Sequence, residues 1–348
     1  MKVKLGKLVN VKTGKLDANA SSINGAYPFF TCSKEPLKIS TYSYDCECVL
    51  VAGNGDLNVK YYNGKFDAYQ RTYIIEDNGC KKIYIPYLYY FMDKYVEKLR
   101  TQSIGGVIKY IKLSNITEVE IVLPNVDIQK KIVDKLDKVN AVINKKNMQL
   151  EKLDLLVRSL FIEMFGDLVK GKYEIKKLKD ISKKISDGIH SKPEYTKTGR
   201  PFLSVVNINK GKVNFEDCKY VSEESFQKMI KSTHPEKGDI LYTKVGATYG
   251  IAAYIDTNVE FCLYVSVCLI KPKHYLINAK FLSIQMNMPF IKYQADNRIK
   301  GIGVPDLHLN QIREFDIIVP PLDLQNRFAE YVSSIDKSKF ASFSHLSA

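Results

Sequence analysis

The sequence lacks the features that mark membrane, secreted and metal-binding proteins. It contains no apolar run of the roughly eighteen residues that a membrane-spanning helix needs, and its N-terminus has no apolar signal core. The seven cysteines are scattered and form no CxxC pair, which indicates reduced, buried thiols rather than disulfides or a zinc site. We therefore expect a cytoplasmic globular protein without a metal.

Motifs of enzymes that act on DNA are also missing. We find no Asn-Pro-Pro-aromatic loop, no glycine-rich dinucleotide fingerprint after a strand, no GxxxxGK[ST] phosphate loop and no carboxylate triplet with a trailing lysine. The five histidines show no ligand spacing, and all of them lie in the second half of the chain. The sequence thus predicts no catalytic residue and no cofactor on this chain.

Acidic residues are outnumbered by basic ones, and most of the basic residues are lysines. The net charge is +14, and the excess is spread evenly over residues 1–166 and 167–348. A basic field of this kind favours a polyanionic partner such as nucleic acid. A generally lysine-rich composition would give the same count, so charge alone leaves both interpretations open.

What the sequence does contain is one long helical stretch, residues 127–166, without an internal Gly or Pro. Asp127 is the expected N-cap and Gly166 the expected residue after the helix. Apolar residues recur in alternating steps of four and three, with Lys146 as one polar position, which is typical of a coiled-coil seam. The seam residues are Ile132, Leu136, Val139, Ile143, Leu150, Leu153, Val157, Leu160 and Met164.

The second half of the chain repeats the order of the first. Pro201-Phe202-Leu203 follows Pro28-Phe29-Phe30 at a shift of 173 residues, and residues 241–246 follow 50–55 at a shift of 191. Val319-Pro320, Asp323 and Gln325 match Leu123-Pro124, Asp127 and Gln129 at a shift of 196. The extra residues of the second copy fall mainly at 207–237. We therefore predict a duplication in which the two copies share the segments at their ends and differ in the segment between them.

These patterns predict an α/β (α+β) protein with two tandem α/β domains separated by a long coiled-coil-type helix. We expect the segments 1–126, 127–167, 168–322 and 323–348 to be first domain, first helix, second domain and a truncated second helix of about five turns. Phe328, Val332 and Ile335 continue the seam in that second helix. Strands are expected at 49–52, 59–62, 69–75 and 119–123, with turns at 53–55 and 63–64 and a helix over 87–99.

Four segments resemble the DNA-specificity (S) subunits of type I restriction–modification systems. They are GNGDLNVKYYNGKFDAYQRTYII (53–75), IVLPNVDIQKKIVDKLDKVNAVI (121–143), EKLDLLVRSLFIEMFGD (151–167) and FDIIVPPLDLQNRFAEYV (315–332). The resemblance covers nearly the whole chain. The chain departs from the family pattern in its shortened second helix, because the family has two long antiparallel helices of similar length.

The resemblance implies a non-catalytic DNA-binding subunit of a restriction system. Each domain would be a target recognition domain that reads one half of a split site in double-stranded DNA. The helices would set the spacing and dock methylation (M) subunits, and through them restriction (R) subunits. S-adenosylmethionine, ATP and Mg²⁺ would reside on those partner subunits.

Residues with donors suited to base edges or phosphates are the candidates for DNA contact. In the first domain these are Thr31, Ser33, Asn54, Asn58, Lys60, Tyr61, Gln70 and Arg71. In the second domain they are Ser204, Asn207, Thr243, Lys244, Thr248, Tyr249, Arg298 and Lys300. Several, the tyrosines above all, could instead be sheet core or solvated rim, and the sequence leaves that choice open.

The twelve apolar seam residues of the two helices are the predicted subunit and helix interface. Because the second helix is expected to stop near Lys339, level with Ile143 of the first, residues 150–164 are expected to lack intrachain cover. A second subunit, or a second copy of this chain in a homodimer, would pack there. Two alternatives stay open: a coiled-coil scaffold that does not touch DNA, and a self-contained DNA-modifying enzyme.

Overall fold

The computed structural model of the protein describes residues 2–169, 171–209, 211–299 and 303–344. The chain divides into two compact units inside its long helix: unit 1 ends at Lys145 and unit 2 begins at Lys146. Both units mix helices and strands, as the sequence predicts. None of the helices in the described ranges has the length and apolarity to cross a membrane.

Unit 1 is built around a six-stranded sheet. Its elements are β1 (Lys2–Lys4), β2 (Val9–Thr13), β3 (Tyr27–Phe30), β4 (Leu37–Ile39), β5 (Tyr44–Ala52), β6 (Val59–Ala68), β7 (Thr72–Asp77), α1 (Ile85–Gln102), α2 (Ser114–Thr117), β8 (Glu120–Val122) and the start of α3 (Val126–Phe165). The strand order is β2-β7-β5-β6-β3-β4, and β1 pairs separately with β8.

The predicted hairpin around residues 53–55 is confirmed. β5 and β6 pair antiparallel with Val51 opposite Val59, and Gly55 in the connection has a φ of +68°. The second predicted turn, at Asn63-Gly64, is wrong. Both residues lie inside β6, where Gly64 pairs with Cys46, because the apolar and aromatic residues on either side continue one strand.

The larger buried cluster of unit 1 lies between the sheet and α1. Pro86 stands in the first turn of α1, where its missing N–H is not needed, and Leu88, Met92 and Leu99 are completely buried beneath β5. Tyr87, Phe91 and Tyr95, spaced four residues apart along α1, are half-buried at the edge of this core. The helix therefore exists as predicted, with its buried face turned toward the aliphatic residues.

Unit 2 distributes its strands over a four-stranded, a three-stranded and two two-stranded sheets. Its elements are β9 (Glu174–Lys177), β10 (Ser182–Asp187), β11 (Arg200–Leu203), β12 (Ile208–Asn209), β13 (Lys212–Val213), β14 (Lys219–Val221), α4 (Glu223–Ile230), β15 (Ile240–Thr243), β16 (Ala252–Tyr254), β17 (Cys262–Leu263), β18 (Val267–Pro272), α5 (Ala279–Gln285), α6 (Pro289–Asp296), α7 (Leu309–Arg313), β19 (Asp316–Val319) and α8 (Leu322–Ser344).

The shared frame of the two units is visible in equivalent pairings. β9 pairs with β19 just before α8, as β1 pairs with β8 just before α3. β11 pairs parallel with β17, placing Leu203 beside Leu263, as β3 places Phe30 beside Ala68. The extra residues of the second copy form β12, β13, β14 and α4. The duplication predicted from sequence is therefore present in the fold.

The long helix α3 agrees with its prediction within one residue at each end. Its N-cap, however, is Asn125 and not Asp127: the Asn125 carboxamide oxygen accepts a hydrogen bond of 2.9 Å from the Ile128 N–H. Asp127 lies in the first turn, where its charge favours the helix dipole. At the other end Gly166 adopts a φ of +76°, as expected for the residue after a helix.

The C-terminal half of the seam is the covered half, so the prediction that residues 150–164 lack intrachain cover is wrong. Phe161 and Phe165 on α3 are fully buried against Phe328 on α8, and Val332 and Ile335 join the same core. Near the end of α8, Lys339 bonds Asp154 at 2.6 Å. α8 therefore runs antiparallel to α3 and starts beside its C-terminal end, whereas the prediction aligned it with the N-terminal half.

Of the predicted seam residues in the covered half, Val157 is buried in this core. Leu153, Leu160 and Met164 are partly buried against it, and Leu150 is half-buried. α8 has 23 residues and is longer than the five turns expected.

Within unit 1, α3 keeps an exposed apolar stretch. Ile132 is half-buried, but Leu136, Val139 and Ile143 are 37%, 55% and 42% exposed. The neighbouring Val142 is 46% exposed. The apolar periodicity of this half thus lies on a surface of unit 1 and not in its core.

Candidate nucleic-acid interface

Four segments of unit 1 meet at one end of the sheet. The Gly53 N–H donates to the Arg71 carbonyl at 2.7 Å, and the Gly53 carbonyl accepts from the Ile111 N–H at 2.9 Å. The Gly55 N–H donates to the Lys109 carbonyl at 2.9 Å. An ideal Cβ on Gly53 would lie 2.3 Å from the Arg71 carbonyl oxygen, so a side chain would require the backbone to shift there.

The segment that follows β3 is fastened to the same end of unit 1. The Asn58 amide donates to the Cys32 carbonyl at 2.7 Å and to the Asp56 carbonyl at 2.9 Å, while Lys60 donates to the Asn58 carboxamide oxygen. Thr31 is buried and bonded to the exposed Ser33 at 2.6 Å. The structure therefore brings together candidates that lie forty residues apart in sequence. We call this group of segments (31–34, 53–58, 71 and 104–111) the unit 1 tip.

The side chains of the unit 1 candidates differ in their availability. Arg71 and Gln70 are exposed, although Gln70 donates to Asp17 at 2.9 Å. Asn54 is half-buried. Burial lowers the pKa of Lys60. Tyr61 bonds Glu47, and partial burial together with this bond raises the pKa of Tyr61 to about 12. Arg71 is thus the unit 1 candidate whose basic side chain is exposed.

Unit 2 has an equivalent tip built by the same backbone bonds. The Lys244 N–H donates to the Ser266 carbonyl at 3.0 Å, and the Lys244 carbonyl accepts from the Leu307 N–H at 2.9 Å. The Gly246 N–H donates to the Pro305 carbonyl at 2.9 Å. Position for position, these bonds put Lys244 where unit 1 has Gly53. We call residues 243–250, 266 and 303–307 the unit 2 tip.

An ionic cluster specific to unit 2 lies at this tip. The Lys244 side chain is 5% exposed, and its Nζ is 3.6 Å from the Asp187 Oδ2 and 3.6 Å from the Asp306 Oδ1. Burial raises the pKa of Asp187, and the charges of Lys244 and His190 oppose that rise. Lys244 therefore holds the loop that carries Asp306 against the ends of two strands.

The other candidates of unit 2 mostly serve the fold. Thr243 is buried and donates to the Thr248 carbonyl at 2.8 Å, while Thr248 itself is exposed. Tyr249 is half-buried and bonds Asp296, with the Lys292 Nζ 3.2 Å from its ring centroid. Thr243 and Tyr249 thus have internal partners, and Thr248 is the most accessible of these three residues.

Two further candidates of unit 2 shape its loops. Asn207 is buried, and its carboxamide oxygen accepts from the Ser204 N–H at 3.0 Å. Arg298 donates to the Gln294 and Glu314 carbonyls at 2.8 and 3.2 Å, and its guanidinium lies 5.4 Å from the Phe315 ring centroid. Lys300 lies outside the described residues. For all sixteen candidates, DNA contact stays a prediction.

Unit 2 also contains a basic groove of about 970 Å³ that is not among the sites predicted from the sequence. The groove is lined by basic side chains, by several serine and threonine hydroxyls, and by the carboxylate of Asp187. The basic residues are Lys179, Lys183, Lys184, His190 and Arg313. Lys183 and Lys184 project from β10, which forms an edge of its sheet. The adjacent lysines Lys183 and Lys184, in a strand that ends at Asp187, were the signal in the sequence that could have indicated this groove. Arg313 joins its lining only through the fold.

Comparison with known proteins decides the family. The sequence model described as the type I restriction modification DNA specificity domain matches residues 1–152 and again residues 170–345. This chain belongs to that family. Its two matches coincide with the duplication, so the family unit is one copy of the repeat.

Relatives within the family share part of their length with this chain. The type I restriction enzyme EcoDI specificity subunit from Escherichia coli is 38% identical over 173 residues, which are 48% of this chain and 38% of that protein. The MjaIX specificity subunit from Methanocaldococcus jannaschii is 27% identical over 288 residues, 75% of this chain and 64% of that protein. The chain thus spans less than two thirds of either relative.

A solved structure supports the fold. The type I restriction–modification S subunit from M. genitalium superposes with a TM-score of 0.59 at 17% identity, covering 100% of this chain and 92% of that one. At this identity the likeness concerns the fold alone, and it agrees with the arrangement of two mixed units and a long helix.

Proposed function

We propose that this chain is a DNA-specificity subunit in which each unit reads one half of a split site in double-stranded DNA. The family membership supports a role in DNA recognition. The observation that carries the finer proposal is the pair of tips: the same three backbone bonds hold different side chains in the two units. A constant frame with exchanged side chains is what two readers of different half-sites need.

The charge distribution supports contact with DNA at both units. The chain carries +14, and unit 2 adds a groove with four lysine or arginine side chains to the exposed Arg71 of unit 1. Phosphate contacts from such side chains position a protein on the duplex, and base contacts from a few others specify the sequence. The groove is suited to phosphate contacts, and the tips are suited to base contacts.

The proposal includes a division of labour with partner subunits. Methylation subunits dock on the helices and bring S-adenosylmethionine, and restriction subunits bring ATP and Mg²⁺. The helices set the number of unread base pairs between the half-sites. The exposed apolar residues of α3 in unit 1 support docking, because a surface of this kind on a helix is commonly a contact site.

The decisive experiment is to co-express the chain with its methylation subunit and to map methylated bases in the host DNA. A split motif with a constant gap is the expected result, and methylation without any added subunit would contradict a non-catalytic role. In parallel, selection from random DNA with and without methylation subunits should enrich a split motif. Affinity that does not fall between about 50 and 200 mM salt would indicate a scaffold that does not use phosphate contacts.

A further inference from the structure

Gln129, in the first turn of α3, is completely buried and has three hydrogen bonds to backbone groups. Its carboxamide oxygen accepts from the Tyr84 N–H at 2.8 Å. Its amide nitrogen donates to the Lys82 carbonyl at 2.8 Å and to the Pro124 carbonyl at 2.9 Å. One side chain thus joins the start of α3 to the segment that enters α1.

Gln325, in the first turn of α8, repeats this arrangement in unit 2. It too is completely buried, and its oxygen accepts from the Asn278 N–H at 2.8 Å. Its nitrogen donates to the Leu276 carbonyl at 3.1 Å and to the Pro320 carbonyl at 2.7 Å. Asn278 caps α5, as Tyr84 precedes α1, so the same side chain ties the same two elements in both copies.

The three hydrogen bonds of each glutamine constrain the direction of its carboxamide as well as its position. Each glutamine uses both amide protons and one oxygen lone pair on backbone groups from two different segments. Apolar packing tolerates sliding and rotation, whereas three hydrogen bonds with fixed angles hold one position. The helix start is therefore fixed in place relative to the body of its own unit, independently in each copy.

We propose that Gln129 and Gln325 are positioning residues that hold each recognition unit in one register on its helix, and thereby fix the length of the unread gap between the half-sites. The inference rests on the proposed function. The inference names the residues that would make the spacing definite. A rigid helix sets a fixed distance between the units only when both of its attachments are also rigid.

The test uses the assembled complex of the full chain with its methylation subunits. The variants are Gln129→Met and Gln325→Met, which keep the side-chain length and remove all three bonds. Gln149→Met, the same exchange at an exposed position of α3, is the matched control. Each complex methylates a DNA library in which the native half-sites are separated by the native gap or by one or two base pairs more or fewer.

We expect the preference for the native gap over its neighbours to fall roughly tenfold in each of the Gln129 and Gln325 variants, equivalent to about 1.4 kcal/mol. The control should keep the wild-type preference. A merely structural glutamine would lower the melting temperature and the total methylation without changing the gap preference, and that result would overturn the inference.

If Gln→Met prevents folding, Gln129→Asn and Gln325→Asn keep an uncharged carboxamide and shorten it by one methylene, which weakens the three bonds without burying a charge. Failure of these variants to assemble as well would also overturn a positioning role, because the glutamines would then serve stability alone. If the wild-type complex methylates no split site, the proposed function itself fails. If the wild-type complex methylates a split site and the variants keep its gap preference, the positioning role of the two glutamines is rejected while the proposed function stands.

Discussion

Lys244 shows how a residue predicted to contact DNA can be held by the protein itself. Its ammonium is buried between Asp187 and Asp306, and the Oδ1 atom of Asp187 is buried with no hydrogen-bond partner among the described residues. A buried carboxylate without a cation is costly, so Lys244 stabilises the charged form of Asp187.

We predict that Lys244→Met destabilises the protein by about 2 kcal/mol at pH 7, less than the ~3–5 kcal/mol of fully buried pairs because Asp306 is partly exposed. Burial already raises the pKa of Asp187 above its unfolded value. Protonation of Asp187 therefore contributes stability that is fully present below the unfolded pKa and is lost as the pH rises through the folded pKa. Losing Lys244 raises that pKa further.

The loss measured by urea unfolding should therefore be smaller at pH 4.5 than at pH 7. The double variant Lys244→Met with Asp187→Asn is the control, and it should recover most of the stability at pH 7. An equal loss at both pH values would show that the ion pair is not the cause.

Arg71 is the contrasting case. It is exposed at the unit 1 tip, and no hydrogen bond or ion pair of its guanidinium is found in the described part of the chain. We predict that Arg71→Ala weakens binding to the cognate site by about 1–3 kcal/mol, with unfolding stability unchanged. Fluorescence anisotropy with cognate and scrambled duplexes measures this effect. Lys94→Ala, an exposed change on α1, should leave the affinity near wild type, and equal effects of the two changes would argue against a specific contact.

At the scale of elements, the pairing of α3 with α8 holds unit 2 together. Phe161 is completely buried, with ring centroids of Phe165, Phe281 and Phe328 at 5.1, 5.5 and 5.7 Å. Its neighbour Ile162, rotated by about 100° around the helix, is 43% exposed. The contrast between adjacent residues reflects the helical period and gives a matched pair for mutation.

We predict that Phe161→Ala costs about 3–5 kcal/mol, from lost transfer energy and the remaining cavity. Ile162→Ala should stay within about 0.5 kcal/mol of wild type, as expected for a surface change. Hydrogen exchange should show lost amide protection in α8 and in β18 of the Phe161 variant, while β5 in unit 1 keeps its protection. Uniform loss across both units would contradict a packing role confined to unit 2.

At the scale of the whole molecule, we predict that the methylation subunit docks on the exposed part of α3 in unit 1. We predict that the triple change Leu136→Ser, Val139→Ser and Ile143→Ser leaves the free energy of unfolding within about 0.5 kcal/mol per site, because these side chains are already exposed. Binding of the methylation subunit should weaken more than tenfold, as measured by isothermal titration calorimetry.

The control for this prediction changes three exposed lysines of the same stretch, Lys131, Lys135 and Lys145, to serine. That variant should bind the methylation subunit within a few-fold of wild type. Normal assembly of the apolar triple variant would place the docking surface elsewhere on the molecule.

The sequence by itself determined the duplication, the extent of α3, the hairpin turn at residues 53–55 and the resemblance to the family. These depend on local signals: the period of apolar residues, glycine at turns, and the order of short matches. The same local signals misplaced the N-cap by two residues, since Asn125 and Asp127 are both good capping residues and only the observed bond to Ile128 distinguishes them.

Only the tertiary structure decided which half of α3 is covered and which polar residues remain available. A seam pattern says that a helix has a partner, but where α8 returns to meet it depends on the path of the chain through unit 2. Likewise Lys244 and Arg298 look like ordinary basic residues until Asp187, Asp306 and Phe315 arrive from distant segments. The physical reason is that burial and pairing are properties of neighbours in space, which a one-dimensional pattern does not contain.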